Sequence, residues 1–237
     1  MSGAGGGPGE GPVPRPAGTG LSDEMLAVAR PIWDAQLAHP FVAGIADGTL
    51  PPETFERWVR QDWLYLTEFA RVFAWATAKA GRLTSMAWYA SVLDLTLNTE
   101  MSLHRAYAAR FGISERELEA EEMWPTTRAY TDFLVRTAAD GDMADLLSVV
   151  LPCAWGYAWI GARLAERERP PDRRYADWIA QYASPEFQEA AEWLRQETER
   201  VAGAVVPEKR ARLLDLFELS SRYELRFWEM CWTGESW

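Results

Sequence analysis

Histidine and cysteine are scarce in this chain of 237 residues, with two of each. The cysteines, Cys153 and Cys231, cannot build a disulfide framework, and both lie in apolar, helix-like segments, which points to a reducing, cytoplasmic setting. The histidines, His39 and His104, are too few for a metal centre rich in imidazole. Glu100 and His104 stand four apart, whereas di-iron bundles use Glu-x-x-His pairs, three apart, with further carboxylates. That spacing supports a structural Glu100–His104 hydrogen bond, so no metal or other cofactor is expected. Positive charge is also in short supply. The net charge of −11 argues against nucleic acid or an anionic membrane surface as the main partner. Neither a GxxxxGK[ST] loop, a strand-linked GxGxxG nor a GxSxG elbow occurs. No stretch sustains the period-two alternation of a half-buried strand, and no internal repeat is evident.

What is plentiful is tryptophan, thirteen residues in all, within an apolar fraction of 48%. Large rings favour aromatic-lined cavities as well as cores. The first twenty residues lack the basic start and apolar run of a signal peptide; eight are Gly and four are Pro, the composition of a disordered tail. Beyond this tail (residues 1–20), residues 21–237 read as one all-α domain. Ser22 is the expected cap of a first helix reaching His39-Pro40, with a kink or break near Arg30 caused by Pro31. An Asp47-Gly48 turn follows. A second helix is expected from Pro51-Pro52 to about Ala80, and a third from about Thr84 to Arg110. Ser114 with Glu117 forms a capping box for a short helix. Further helices should start near Thr126, Asp142, Ser184 and Pro207, with another carrying Trp178 and Tyr182.

The segment Leu146 to Ala162 is uncharged and close to membrane-spanning length, but Ser148, Pro152 and Gly156 within it favour a buried central helix. It places Cys153 and Tyr157 one turn apart on one face. His39 is expected to help end the first helix as a cation. Asp62 has Trp58, Val59, Tyr65 and Leu66 as same-face neighbours, and Glu224 has Ser220, Ser221, Phe227 and Trp228; neither acid has a local cation. Such acids either face solvent or are buried for a purpose.

The stretches HPFVAGIADGTLPPETFERWVRQDWLYLTEFARVFAWATAKA, TEMSLH, LPCAWGYAWIG, YADWIAQYASPEF and YELRFW together resemble the TenA/thiaminase II family, in its cysteine-bearing branch, from about Ser22 to Trp232. The resemblance implies a heme-oxygenase-like helical bundle that binds no heme and assembles as a homotetramer. It also implies an aminopyrimidine aminohydrolase acting on a small pyrimidine or on thiamin. By position, Cys153 would be the nucleophile, with Asp62 binding the ring nitrogen or amino group beside Tyr65. Glu224 would be the second essential acid, and Phe227 would stack on the ring. Tyr157 would orient or activate Cys153, and Tyr130 and Tyr182 would complete an aromatic wall.

The expected chemistry is addition of the Cys153 thiolate to the ring, protonation of ring nitrogen, departure of the amine, addition of water to the exocyclic carbon and expulsion of the thiolate. Two other classes of function fit parts of the pattern. One is an oxidative enzyme on the same fold, cofactorless or di-iron; the other is a non-catalytic pyrimidine-binding or regulatory protein.

Overall fold

The computed structural model describes residues 20–235 and 237, so the expected tail lies outside the described residues except for Gly20. Helices account for nearly all of this span, and no strand occurs among the described residues. They are α1 (Leu21–Ala38), α2 (Pro40–Asp47), α3 (Pro52–Lys79) and α4 (Leu83–Leu95). A π-helical turn (Thr96–Glu100) leads into α5 (Met101–Arg110), α6 (Glu115–Glu119), α7 (Pro125–Asp140) and α8 (Met143–Ala165). The chain ends with α9 (Arg173–Tyr182), α10 (Pro185–Ala202) and α11 (Pro207–Thr233).

Local chemistry explains most boundaries. Proline opens α3, α7, α10 and α11, where the missing N–H has no intrahelical partner to lose. Capping boxes start α6 at Ser114 and α8 at Asp142. Gly48, at φ +72°, closes α2 in a left-handed conformation that a side chain would resist.

Three expectations need correction. Ser22 is not the cap of α1: Glu199, from α10, accepts the N–H groups of Leu21 and Ser22 at 3.0 and 2.6 Å. Pro31 does not break α1, because Pro31 and Ala27 are both exposed and the carbonyl deprived of its donor reaches solvent. The Asp47-Gly48 turn is present, and the residues before it, given no element in the sequence, form α2, whose N-cap is the His39 ring: Nδ1 accepts from Phe41 N at 3.2 Å. His39 therefore acts as an acceptor at a helix start rather than as a cation at a helix end. The expected third helix is present from Leu83 to Arg110, running through α4, the π turn and α5 without a break.

Helix α8, uncharged from Leu146 to Ala162, is the axis of the bundle, packed against α10, α11, α9 and α7. It is long and apolar enough to cross a membrane, but 78% of its most apolar window is buried inside the protein, as expected of a core helix. Charge fastens its polar end, where Asp145 pairs with Lys209 and Arg212 of α11 at 2.7 and 3.0 Å. Trp33, Trp58, Trp178 and Trp228 are fully enclosed, so much of the tryptophan excess fills the core. Gly161 lets α9 lie directly on α8, since a Cβ there would come within 2.6 Å of the Tyr182 carbonyl carbon. That close approach sets Tyr182 beside Tyr157, ring centroids 4.8 Å apart.

Candidate active site

A cavity of about 450 Å³ opens between α3, the π turn, α8, α9 and α10. Its wall includes Asp62 and Tyr65 from α3, Cys153 and Tyr157 from α8, and Tyr182 at the end of α9. Phe69, Trp88 and Phe187 make the remainder strongly aromatic. A wider cleft of about 590 Å³ beside Arg60 and Trp124 is more open, and its Glu121 is already paired with Arg60. It offers no nucleophile, so the enclosed cavity is where chemistry can occur.

Tyr130, Glu224 and Phe227 lie one layer behind that wall. The Tyr130 ring packs against Tyr65 at 5.2 Å, and Phe227 meets Tyr65 edge-on at 5.9 Å. Eight residues spread over α3, α7, α8, α9 and α11 thus converge on one region, five at the cavity wall and three supporting it.

The buried Asp62 carboxylate has a partner forty-two positions along the chain. His104 Nε2 lies 2.7 Å from Asp62 Oδ2, and His104 Nδ1 lies 3.0 Å from the Glu100 backbone carbonyl. A carbonyl only accepts, so Nδ1 carries hydrogen, and the contact with Asp62 needs one further proton on that line. Burial lowers the imidazole, but the Asp62 hydrogen bond and charge outweigh it and raise the net value, favouring imidazolium against carboxylate. The expected Glu100–His104 contact therefore runs through the Glu100 backbone and leaves the Glu100 carboxyl free to face the cavity.

Glu224 is also buried, and burial pushes its carboxyl up to about 8 despite the hydrogen bond from Tyr130. Hydrogen-bond geometry agrees with a neutral acid. Ser220 Oγ donates to the Val149 carbonyl at 2.6 Å and lies 3.1 Å from the Tyr130 hydroxyl, which is 2.6 Å from Glu224 Oε1. When Glu224 is ionised, Tyr130 donates to it and the Tyr130–Ser220 contact has no proton. When Glu224 is protonated, every contact in the chain has one donor.

Cys153 is partly accessible, and the space it meets is the cavity. Burial, then the Glu224 charge, raises its thiol well above the ordinary value, while Tyr65 pulls it down. Tyr65 is therefore a phenol that favours the thiolate, beside the expected Tyr157 on the same wall. The Tyr65 hydroxyl forms no well-aligned hydrogen bond with the protein and is fully enclosed, which leaves it available to the sulfur or to a ligand. Cys231 is a buried packing residue. Among the described residues, no group of three or more His, Cys, Asp or Glu is arranged to hold a metal ion.

A thiol, two acids and stacked phenols around one cavity are the equipment for addition chemistry on a flat, polar ring. Residues 26–234 match the TENA/THI-4/PQQC family. The chain belongs to that family. It is 44% identical over 210 residues, 88% of this chain and 94% of the other, to an aminopyrimidine aminohydrolase from Halalkalibacterium halodurans. A second aminopyrimidine aminohydrolase, from Bacillus subtilis, is 36% identical over 92% of each chain. Among solved structures, a TenA family transcription regulator from Silicibacter superposes with a TM-score of 0.84 at 32% identity, covering 90% of this chain and 96% of that one. A Shewanella denitrificans domain with a heme oxygenase-like fold superposes at 0.69 and 13% identity, covering 92% of this chain and 94% of that one, and so shows the fold alone. This family member is a single all-helical domain of the heme-oxygenase-like kind.

Proposed function

We propose that this chain is an aminopyrimidine aminohydrolase that converts 4-amino-5-aminomethyl-2-methylpyrimidine to its hydroxymethyl counterpart by covalent catalysis through Cys153. The observation that carries the reading is the placement of an accessible Cys153 sulfur at an aromatic cavity wall with Asp62, while Glu224 lies behind it. The two aminohydrolases that match nearly all of this chain support the same activity.

Each group has a physical task. Tyr65, Tyr157 and Tyr182 offer ring faces to the pyrimidine, and Asp62, held by His104, accepts from its amino edge. Tyr65 donates to the sulfur as it becomes thiolate and forms a bond to a ring carbon. Glu224, a carboxylic acid at neutral pH, supplies the proton taken up at ring nitrogen. The electron pair released into the ring breaks the exocyclic C–N bond, and the arm, bound as its ammonium, departs as neutral ammonia. Water then bonds to the exocyclic carbon and gives its proton to the Glu224 carboxylate. Loss of the ring-nitrogen proton with cleavage of the C–S bond restores aromaticity and the thiolate; that proton is taken up by the released ammonia, so the sum is ammonium arm plus water to alcohol plus ammonium.

Homotetrameric assembly belongs to the same reading. Leu83, Leu95 and Leu97 expose about half or more of their surface along α4 and the π turn, a density of apolar side chains suited to subunit packing. Both cysteines are free, which suits a cytoplasmic location.

Incubating the purified protein with the aminomethyl pyrimidine should release ammonia and hydroxymethyl pyrimidine in equal amounts, with no oxygen uptake. Tight pyrimidine binding without ammonia would favour a binding protein, and oxygen consumption an oxidase; either result overturns the reading.

A further inference from the structure

The wall of the cavity carries acids but no lysine or arginine. Asp62 and Glu100 line it, and Glu186 stands at an exposed edge. These acids differ in what already satisfies them. The Asp62 carboxylate is matched by His104 at 2.7 Å. Glu100 contributes only its backbone carbonyl to His104, and its carboxylate makes no hydrogen bond or ion pair among the described residues. Glu100 is nevertheless held in place, because it ends the π-helical turn that joins α4 to α5. Such one-turn distortions recur where a helix must aim a functional side chain.

The groups facing Glu100 from neighbouring elements are Asp62 on α3, His104 on α5, Cys153 on α8 and Tyr182 on α9. His104 is the single cation among them, and its Nε2 proton is committed to Asp62. Burial therefore dominates: it pushes the Glu100 carboxyl up to about 7, with His104 pulling down and Asp62 pushing up. A ligand that brings its own positive charge would supply the missing counter-charge. A neutral ligand would leave an ionised carboxylate facing it unpaired. The Tyr65 hydroxyl, enclosed without a well-aligned partner on the same wall, is an independent sign that the space is built around a polar ligand.

We propose that Glu100 is a specificity-determining residue that pairs with the primary ammonium of the substrate's departing arm and so selects the aminomethyl pyrimidine over its uncharged N-formyl derivative. This inference rests on the aminohydrolase reading. It also fits the chemistry, since an arm held as ammonium leaves as neutral ammonia when the C–N electron pair returns to nitrogen, with no further proton needed.

The test separates the two. Calorimetric binding is measured for the aminomethyl and N-formylaminomethyl pyrimidines in Cys153→Ser, which cannot turn them over, and in Cys153→Ser with Glu100→Gln. The single variant should prefer the ammonium compound by about tenfold or more, as a charge-assisted hydrogen bond provides. The double variant should lose that preference while keeping its affinity for the N-formyl compound, which also reports that it is folded. Equal preference in both variants, or no preference in the single variant, overturns the role of Glu100 and leaves the aminohydrolase reading standing if the natural protein releases ammonia. A Glu100-dependent preference in a protein that releases no ammonia would support this inference and sink the other.

Discussion

His104 Nε2 and Asp62 Oδ2 are 2.7 Å apart, buried together at the edge of the cavity although they lie on different helices. The pair fixes Asp62 where it can read the polar edge of a pyrimidine. Replacing His104 by Gln should cost about 3–5 kcal/mol, the usual penalty for stranding one partner of a buried ion pair. The imidazole value is raised in the folded protein, so its contribution is complete below the ordinary imidazole value and is lost as pH rises through the folded one. The stability gap between the natural protein and His104→Gln should therefore be widest near pH 5 and narrow in alkaline solution. Chemical denaturation across pH measures this. A gap that widened with pH would mean that His104 is neutral.

Tyr65 bears on how readily the sulfur ionises. Its contact lowers the Cys153 value against the upward push of burial and of Glu224. Tyr65→Phe should slow alkylation of Cys153 by iodoacetamide at pH 8, because less of the sulfur is thiolate once the phenol is gone. Cys231 is fully buried and should not react in the folded protein, so a single labelled peptide is expected. An unchanged rate in Tyr65→Phe would remove Tyr65 from thiolate stabilisation.

Glu224 sets the alkaline limit. A proton donor with its value pushed up to about 8 is lost as pH rises, so the rate should fall above about pH 8. Glu224→Gln should lower kcat by at least about a hundredfold and abolish that alkaline limb. Stability follows the same sign. A carboxyl raised in the folded state contributes fully below its ordinary value near 4.3, and the contribution fades as pH rises through about 8. The natural protein should melt lower at pH 8.5 than at pH 6, with a smaller difference in Glu224→Gln. A rate that climbed through pH 9 would assign the proton donor elsewhere.

Elements whose signals are local were legible in the sequence. The Ser114–Glu117 box, Asp142, Ser184 and the opening prolines mark helix starts within a residue or two of where they occur. Signals that depend on distant partners were not. Glu199 caps α1 from 177 positions away, which no local pattern around Ser22 reveals. The eight residues of α2 are too short to establish a helical period, and the π turn looks like ordinary helix because it alters pitch by a single residue. The same limit governed the site. Asp62 has no cation within a turn of its own helix, and its partner emerged only when α3 and α5 packed together. Motif order pointed to Cys153 and spacing along α8 to Tyr157 as its neighbour, while the approach of Tyr65 from α3 shows only in the folded protein.

The account stands on the sulfur of Cys153. Its most direct test is ammonia release from the aminomethyl pyrimidine by Cys153→Ser, measured beside the natural protein with both melting curves recorded. The side chain is only partly buried, forms no disulfide and is replaced by one differing in a single atom, so melting should shift by no more than a few degrees. Ammonia release should fall to the uncatalysed background. A folded Cys153→Ser protein that still released ammonia at the natural rate would contradict covalent catalysis by this residue.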